Sequence, residues 1–114
     1  MLDLEATVGD KCYNMVPSAI VSWIQDFVNT YRSNTGRYPL IYTDPDWWDQ
    51  CTGNSAAFST TCPLVLAARP SLPPTIPGGW PFQTIWQNTD TYYYGGDSDL
   101  FNGDLTQLMK LATG

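Results

Sequence analysis

An α/β fold built around a parallel sheet is predicted by three features of this 114-residue sequence. Short runs are apolar throughout rather than alternating, a long segment of helical periodicity stands between them, and turn residues punctuate each boundary. Pro39-Leu40-Ile41-Tyr42-Thr43 and Pro63-Leu64-Val65-Leu66-Ala67-Ala68 are the two continuous apolar runs, and both suit strands covered on both faces.

The elements follow from local signals. Leu2 to Ala6 reads as a short strand, followed by a polar turn through Gly9-Asp10-Lys11. Pro17-Ser18 is a helix entry with Ser18 as the expected N-cap, and Ile20, Ile24, Phe27, Val28 and Tyr31 recur at helical spacing until Gly36 stops the run. After the strand over residues 39–43, Asp44-Pro45-Asp46 opens a short helix carrying Trp47 and Trp48, with Pro45 suited to its first position. The strand over residues 63–68 is followed by a proline- and glycine-rich loop, Pro70 to Gly79, and then by an alternating strand, Phe82 to Gln87. Beyond the polar stretch from Asn88, a closing helix runs from Asp104 to Ala112, where Asp104 and Gln107 form a capping-box pattern. The predicted order is strand, helix, strand, short helix, strand, strand, helix, with all strands parallel and no internal repeat. At this length the chain forms a single domain, residues 1–114.

Composition narrows the chemistry. There is no histidine, which removes Ser-His-Asp and Cys-His nucleophile systems, histidine general bases and histidine metal sites. A net charge of −6, with 14% of residues charged, argues against nucleic acid, which is bound by neutralising phosphates. No run of 18 apolar residues offers a membrane span. Neutral polymers fit better, because five Trp, seven Tyr and four Phe supply flat faces on which sugar rings stack. Trp47, Trp48, Trp86 and the Tyr92-Tyr93-Tyr94 run are the candidate platforms; the plain alternative for each is a place in the core. Asp97-Ser98-Asp99 followed by Asn102-Gly103-Asp104 resembles a calcium loop only superficially, since Phe101 stands where an oxygen ligand is needed.

Cys51 and Cys62 bracket the polar segment 52–61 and are expected to form a disulfide, leaving Cys12 odd. A disulfide framework points to secretion. Met1 leads straight into the first strand without a basic and apolar leader, so the expectation is a sequence lacking its own beginning.

The most chemically suggestive pair is Asp3 and Glu5, the latter being the sole glutamate. On a strand, residues two apart share a face about 6.6 Å apart. One carboxyl of such a pair can stay ionised while its neighbour keeps a proton to donate, the division of labour used in glycoside hydrolysis. A solvated strand face is the alternative. Glu5, Thr43, Gln87 and Asp99 all fall near strand ends, where α/β barrels carry their functional side chains.

Taken in order, Ser22-Trp23-Ile24-Gln25-Asp26-Phe27, Gly36-Arg37-Tyr38-Pro39-Leu40-Ile41-Tyr42-Thr43, Asp46-Trp47-Trp48, Cys51-Thr52-Gly53-Asn54, Pro63-Leu64-Val65-Leu66-Ala67, Trp86-Gln87 and Asp99-Leu100-Phe101-Asn102-Gly103 resemble the fungal, Chalaropsis-type branch of glycoside hydrolase family 25 over nearly the whole chain. The resemblance implies a partial TIM-like (β/α) barrel and a muramidase that cleaves the β-1,4 bond between N-acetylmuramic acid and N-acetylglucosamine in bacterial peptidoglycan, without metal or organic cofactor. The family's Asp-x-Glu signature matches Asp3-Leu4-Glu5. Glu5 is thereby expected as general acid, Asp3 as the group that orients or stabilises the reacting sugar, and Asp99 as a further aspartate, with Asp97 two residues away. Tyr42 and Trp86 match groove-lining aromatics, and Trp47 and Gln87 join them as substrate-binding candidates.

The sequence departs from the family pattern in three ways. The strand with another active-site aspartate that opens the family pattern is absent, so only the C-terminal half is written here. Leu66-Ala67-Ala68-Arg69 replaces Leu-Ala-Arg-Tyr, and Trp86-Gln87-Asn88 replaces Trp-Gln-Tyr. A half barrel leaves the acid open to water, which is expected to return Glu5 toward about 4.3 and leave the isolated chain weak or inactive. An exposed strand edge also invites pairing with a second copy.

Overall fold

The computed structural model describes residues 1–68 and 75–114; Arg69 and the first part of the Pro70–Gly79 loop lie outside the described residues. The elements run β1 (Leu2–Leu4), α1 (Pro17–Thr35), β2 (Ile41–Thr43), α2 (Pro45–Thr52), β3 (Leu64–Ala67), β4 (Ile85–Thr89), β5 (Ser98–Phe101) and α3 (Leu105–Thr113). They make a mixed α/β fold with a five-stranded sheet in the order β1-β2-β3-β4-β5, so β1 is an edge strand.

Strands β1 to β4 are parallel, as the apolar runs imply, but β5 is antiparallel to β4, which corrects the all-parallel expectation. The connection explains it. Parallel neighbours need a long crossover, whereas the segment after β4 reverses in a tight turn closed by Tyr92 N–H to the Gly96 carbonyl (3.0 Å) and Gly95 N–H to the Tyr92 carbonyl (2.8 Å). The strand β5 was not expected, because Ser98-Asp99-Leu100-Phe101 carries no apolar pattern; its pairing with β4 makes it a strand. β4 itself lies later than Phe82–Gln87, and Phe82 stands exposed before it.

Helix α1 begins two residues earlier than expected. Val16 is the N-cap, without a side-chain cap bond, and Pro17 takes the first turn, where its fixed φ is already helical and its missing N–H costs nothing. Gly36 ends the helix at φ 73°, donating its N–H to the Arg32 carbonyl, as the sequence indicated. In α2 the Asp44 carboxylate accepts from Trp47 N–H at 2.8 Å, and Pro45 follows it. The Asp104–Gln107 capping box at the start of α3 is present in full.

The core lies between one face of the sheet and helices α1 and α2. Leu2, Leu4, Ile41, Leu64 and Leu66 meet Ile20, Ile24 and Val28 of α1 and Trp47 and Trp48 of α2, all buried. Trp48 crosses Trp80 edge to face at 5.0 Å and Phe58 at 6.0 Å. Gly78 makes this packing feasible: at φ +58° an added Cβ would fall 2.6 Å from Trp48 Nε1.

The disulfide differs from expectation. Cys12 is bonded to Cys51, with Cα atoms 5.3 Å apart, while Cys62 is free and buried. Cys62 enters the core just ahead of β3, where its carbonyl accepts from Trp80 Nε1 at 2.8 Å. Cys51, on α2, instead meets the loop that follows β1. Short sequence separation is not spatial proximity, and only the latter permits the bond.

Candidate active site

Alternation through β1 and the residue that follows it divides four residues: Leu2 and Leu4 are buried in the core, Asp3 and Glu5 are exposed. Register extends that face across the sheet, since Asp3 lies opposite Tyr42 and Tyr42 opposite Val65. Two residues further along, at the C-terminal ends of the parallel strands, come Glu5, Asp44, Ala67 and Gln87. Because β5 runs the other way, its early residue Asp99 falls opposite Gln87, at the same end of the sheet. The structure therefore brings Asp3, Glu5, Tyr42, Gln87 and Asp99 to one face.

The site is electrostatically coupled. Glu5 is held above the ordinary glutamate value of 4.5, first by partial desolvation and then by the negative charges of Asp3 and Asp44. This corrects the expectation that solvent would return it to normal. The Tyr42 hydroxyl is pushed above 10.0 by partial burial and by Glu5, Asp3 and Asp97. It donates to Gln87 Oε1 at 2.7 Å, and Gln87 Nε2 donates to Asp97 Oδ2 at 3.0 Å, so a three-residue chain crosses the sheet beside the carboxyls. A cavity of ≈ 340 Å³ adjoins it, lined by Asp44, Ala67, Ala68, Gln87, Asn88, Thr89 and Asp90. A carboxyl that holds its proton more firmly than normal, beside negative charge on an open face, is equipped to protonate a leaving group.

Comparison with known proteins identifies the family. Residues 1–97 match the glycosyl hydrolases family 25. The chain belongs to this family. Over its full length it is 56% identical to an N,O-diacetylmuramidase of Arthroderma benhamiae, covering 49% of that protein, and 54% identical to an N,O-diacetylmuramidase of Chalaropsis sp, covering 55% of it. A family GH25 lysozyme from Aspergillus fumigatus has the same fold with a TM-score of 0.95 at 58% identity, covering all of this chain and 56% of that one. The chain spans about half the length of the curated relatives it matches.

Other candidates of this family 25 chain are placed elsewhere. Trp47 is wholly buried with its Nε1 donating to the Lys11 carbonyl at 2.7 Å, so it offers no face to a sugar; Trp48 is buried likewise. Both are corrected from stacking platform to core. Trp86 lies in register with Leu66 and Leu100, on the face opposite Tyr42, and its Nε1 donates to the Ala68 carbonyl at 2.7 Å. Thr43 is buried on the core side. The three tyrosines 92–94 form an exposed cluster at the β4–β5 turn, with ring centroids 4.9 Å apart for Tyr93 and Tyr94.

Three residues escaped the sequence reading. The sequence offers Asp44 only as part of the Asp44-Pro45-Asp46 helix opening, although its position two residues after Tyr42 puts it on the acid face by the parity that unites Asp3 and Glu5. Asp97 was recognised only as a neighbour of Asp99, yet it is the aspartate bonded to Gln87. Tyr13 left no signal in the sequence. Its hydroxyl contacts the Glu5 backbone through a loop whose path is set by the Cys12–Cys51 bond.

Proposed function

We propose that this chain is the C-terminal half of a family 25 lysozyme domain, part of a TIM-like barrel, and that it serves peptidoglycan hydrolysis at the β-1,4 bond between N-acetylmuramic acid and N-acetylglucosamine. The observation that carries the reading is the placement of Glu5 with Asp3 and Asp44 on the open end of the sheet, where partial desolvation and their negative charges hold its carboxyl above the ordinary value. Glu5 donates its proton to the glycosidic oxygen as the bond to the leaving sugar breaks. Asp3, on the same face, offers negative charge to the positively charged sugar that develops or holds its N-acetyl group. The hydrogen-bonded chain from Tyr42 through Gln87 to Asp97 lines the floor beside them, and Asp99 adds a further carboxylate opposite Gln87.

The wall of the groove on the β1 side is an open sheet edge, so the isolated chain is expected to clear cell walls weakly or not at all. Turbidity of bacterial walls with the wild type and Glu5→Gln tests the assignment, and equal clearing by both removes Glu5 from the mechanism. The Cys12–Cys51 disulfide supports an oxidising, extracellular setting. Among the described residues β1 is an edge strand, and that edge supports association of two copies, which size-exclusion chromatography reads as a doubled mass.

A second reading, a non-catalytic glycan-binding fragment, is favoured by the exposed Tyr92, Tyr93 and Tyr94. Pull-down on peptidoglycan that survives Asp3→Asn with Glu5→Gln but is lost on replacing these tyrosines supports it; retention without the tyrosines removes it.

A further inference from the structure

The pairing of β1 with β2 ends at Leu4 and Thr43, so Glu5 stands just outside the ladder. Its backbone is instead held by one phenol. The Tyr13 hydroxyl donates to the Glu5 carbonyl at 2.6 Å and accepts from the Glu5 N–H at 3.2 Å, closing both main-chain groups of that residue. Partial burial, with the negative charges of Asp3 and Glu5, keeps this hydroxyl above 10.0, so it remains a donor through the neutral range.

Tyr13 is itself anchored from several sides. Its neighbour Cys12 is bonded to Cys51 of α2, its ring lies 5.7 Å from that of the buried Trp47, and Trp47 Nε1 holds the preceding Lys11 carbonyl. Tyr13 and Asn14 both adopt left-handed backbone, φ 56° and 54°. Such a conformation is uncommon for a residue with a bulky side chain and persists where surrounding contacts over-determine it.

We propose that Tyr13 is a positioning residue: by clamping both backbone groups of Glu5 to a disulfide-anchored loop, it aims the Glu5 carboxyl at the open face of the sheet. The proposal rests on Glu5 as the general acid and deepens that reading. The hydroxyl bonds the Glu5 backbone and not its carboxyl, so its influence on the proton passes through placement. The groups facing that carboxyl are Asp3 from β1 and Asp44 from the start of α2, with the Tyr13 and Tyr42 hydroxyls nearby. Held there, Glu5 keeps its desolvation and its two negative neighbours; released, it swings into water and loses them.

The variant Tyr13→Phe keeps the ring against Trp47 and removes a single oxygen. Two quantities are read by NMR on the full chain: amide exchange of Glu5 relative to that of buried Leu66, and the titration midpoint of the Glu5 carboxyl with Asp3 and Asp44 followed alongside. The expected result is Glu5 exchange about fivefold faster, the scale of one net hydrogen bond, a Glu5 midpoint lowered toward 4.5, and Leu66 exchange unchanged. An unchanged midpoint overturns the proposal, whether or not the amide has loosened, because a merely structural tyrosine would leave the proton where it was. Should the variant not fold, the unaltered chain decides: exchanging the Tyr13 hydroxyl proton for deuterium shifts the Glu5 carbonyl carbon resonance if the clamp exists, and no shift refutes it. None of these readouts uses wall clearing, so the clamp and the general-acid assignment stand or fall separately.

Discussion

Leu2, Leu4, Ile41, Leu64 and Leu66 alternate with Asp3, Glu5, Tyr42 and Ala67 along the same strands, yet the two sets meet opposite conditions. The first set is sealed beneath α1 and α2; the second lies on the face that carries Asp3, Glu5, Asp44 and Asp99 at its end. A strand's period of two delivers both from one backbone, so Asp3 stands between buried Leu2 and Leu4, Glu5 follows Leu4 and Asp44 follows buried Thr43. The difference teaches where rigidity comes from. Apolar burial on one face positions charges on the other, where Asp44 also caps α2 while Asp3 and Glu5 stand clear of the core. Substitutions on the two faces should therefore differ in how much stability they cost.

Breaking the sealed face should have the largest effect. Leu66→Ala or Ile24→Ala each removes a fully buried side chain and should cost about 2–5 kcal/mol, measured as a lower midpoint of urea unfolding. A loss confined to a few tenths would show that the core side of the sheet is not packed as described. Next comes the Cys12–Cys51 bond, which closes a sequence separation of 39. Replacing both cysteines by alanine should cost about 3–4 kcal/mol on loop-closure grounds. Thiol titration of the unaltered chain should find one thiol, Cys62, reactive only after unfolding; burial raises its pKa and denies reagents access. Two further thiols in the oxidised protein would remove the disulfide and, with it, the anchor of the Tyr13 loop.

Much of the sealed face was legible in the sequence. Ile20, Ile24 and Val28 at helical spacing, the run Leu64-Val65-Leu66 and the stop at Gly36 each reflect a local rule that tertiary structure had no reason to overrule. What failed depended on contacts far apart in the chain. The Cys51–Cys62 pairing followed sequence distance, but the turn-rich segment between them leads Cys62 into the core. β5 became a strand through its neighbour's hydrogen bonds, and Trp47 was drawn inward by packing that its aromatic character alone does not announce. On the open face, Asp3 with Glu5 was legible because parity is local. Asp97 and Tyr13 were not, because a turn and a disulfide bring them in.

On the open face the effects should be smaller. Tyr42→Phe removes the hydroxyl that donates to Gln87, with an expected cost of about 1 kcal/mol by the same unfolding measurement. A cost as large as that of Leu66→Ala would mean that Tyr42 belongs to the core and that the two faces are not separable.

Glu5→Gln should change stability least, and in the opposite direction at neutral pH. Glu5 has a raised pKa in the folded chain, so the folded state binds its proton more tightly than the unfolded state does. Stability from this group is complete on the acid side of 4.5, declines as pH rises from there through the raised folded value, and is level beyond it. Glutamine keeps the shape and carries no charge to desolvate or to set against Asp3 and Asp44. The variant should therefore match the wild type in acid and unfold at slightly higher urea at neutrality, a small gain because the carboxyl is exposed and screened. That sign would mean that ionised Glu5 costs the folded chain stability at neutrality, in keeping with the acid role proposed for it. A loss at neutrality would show that the folded chain favours ionised Glu5, and the open face would then be an ordinary solvated one.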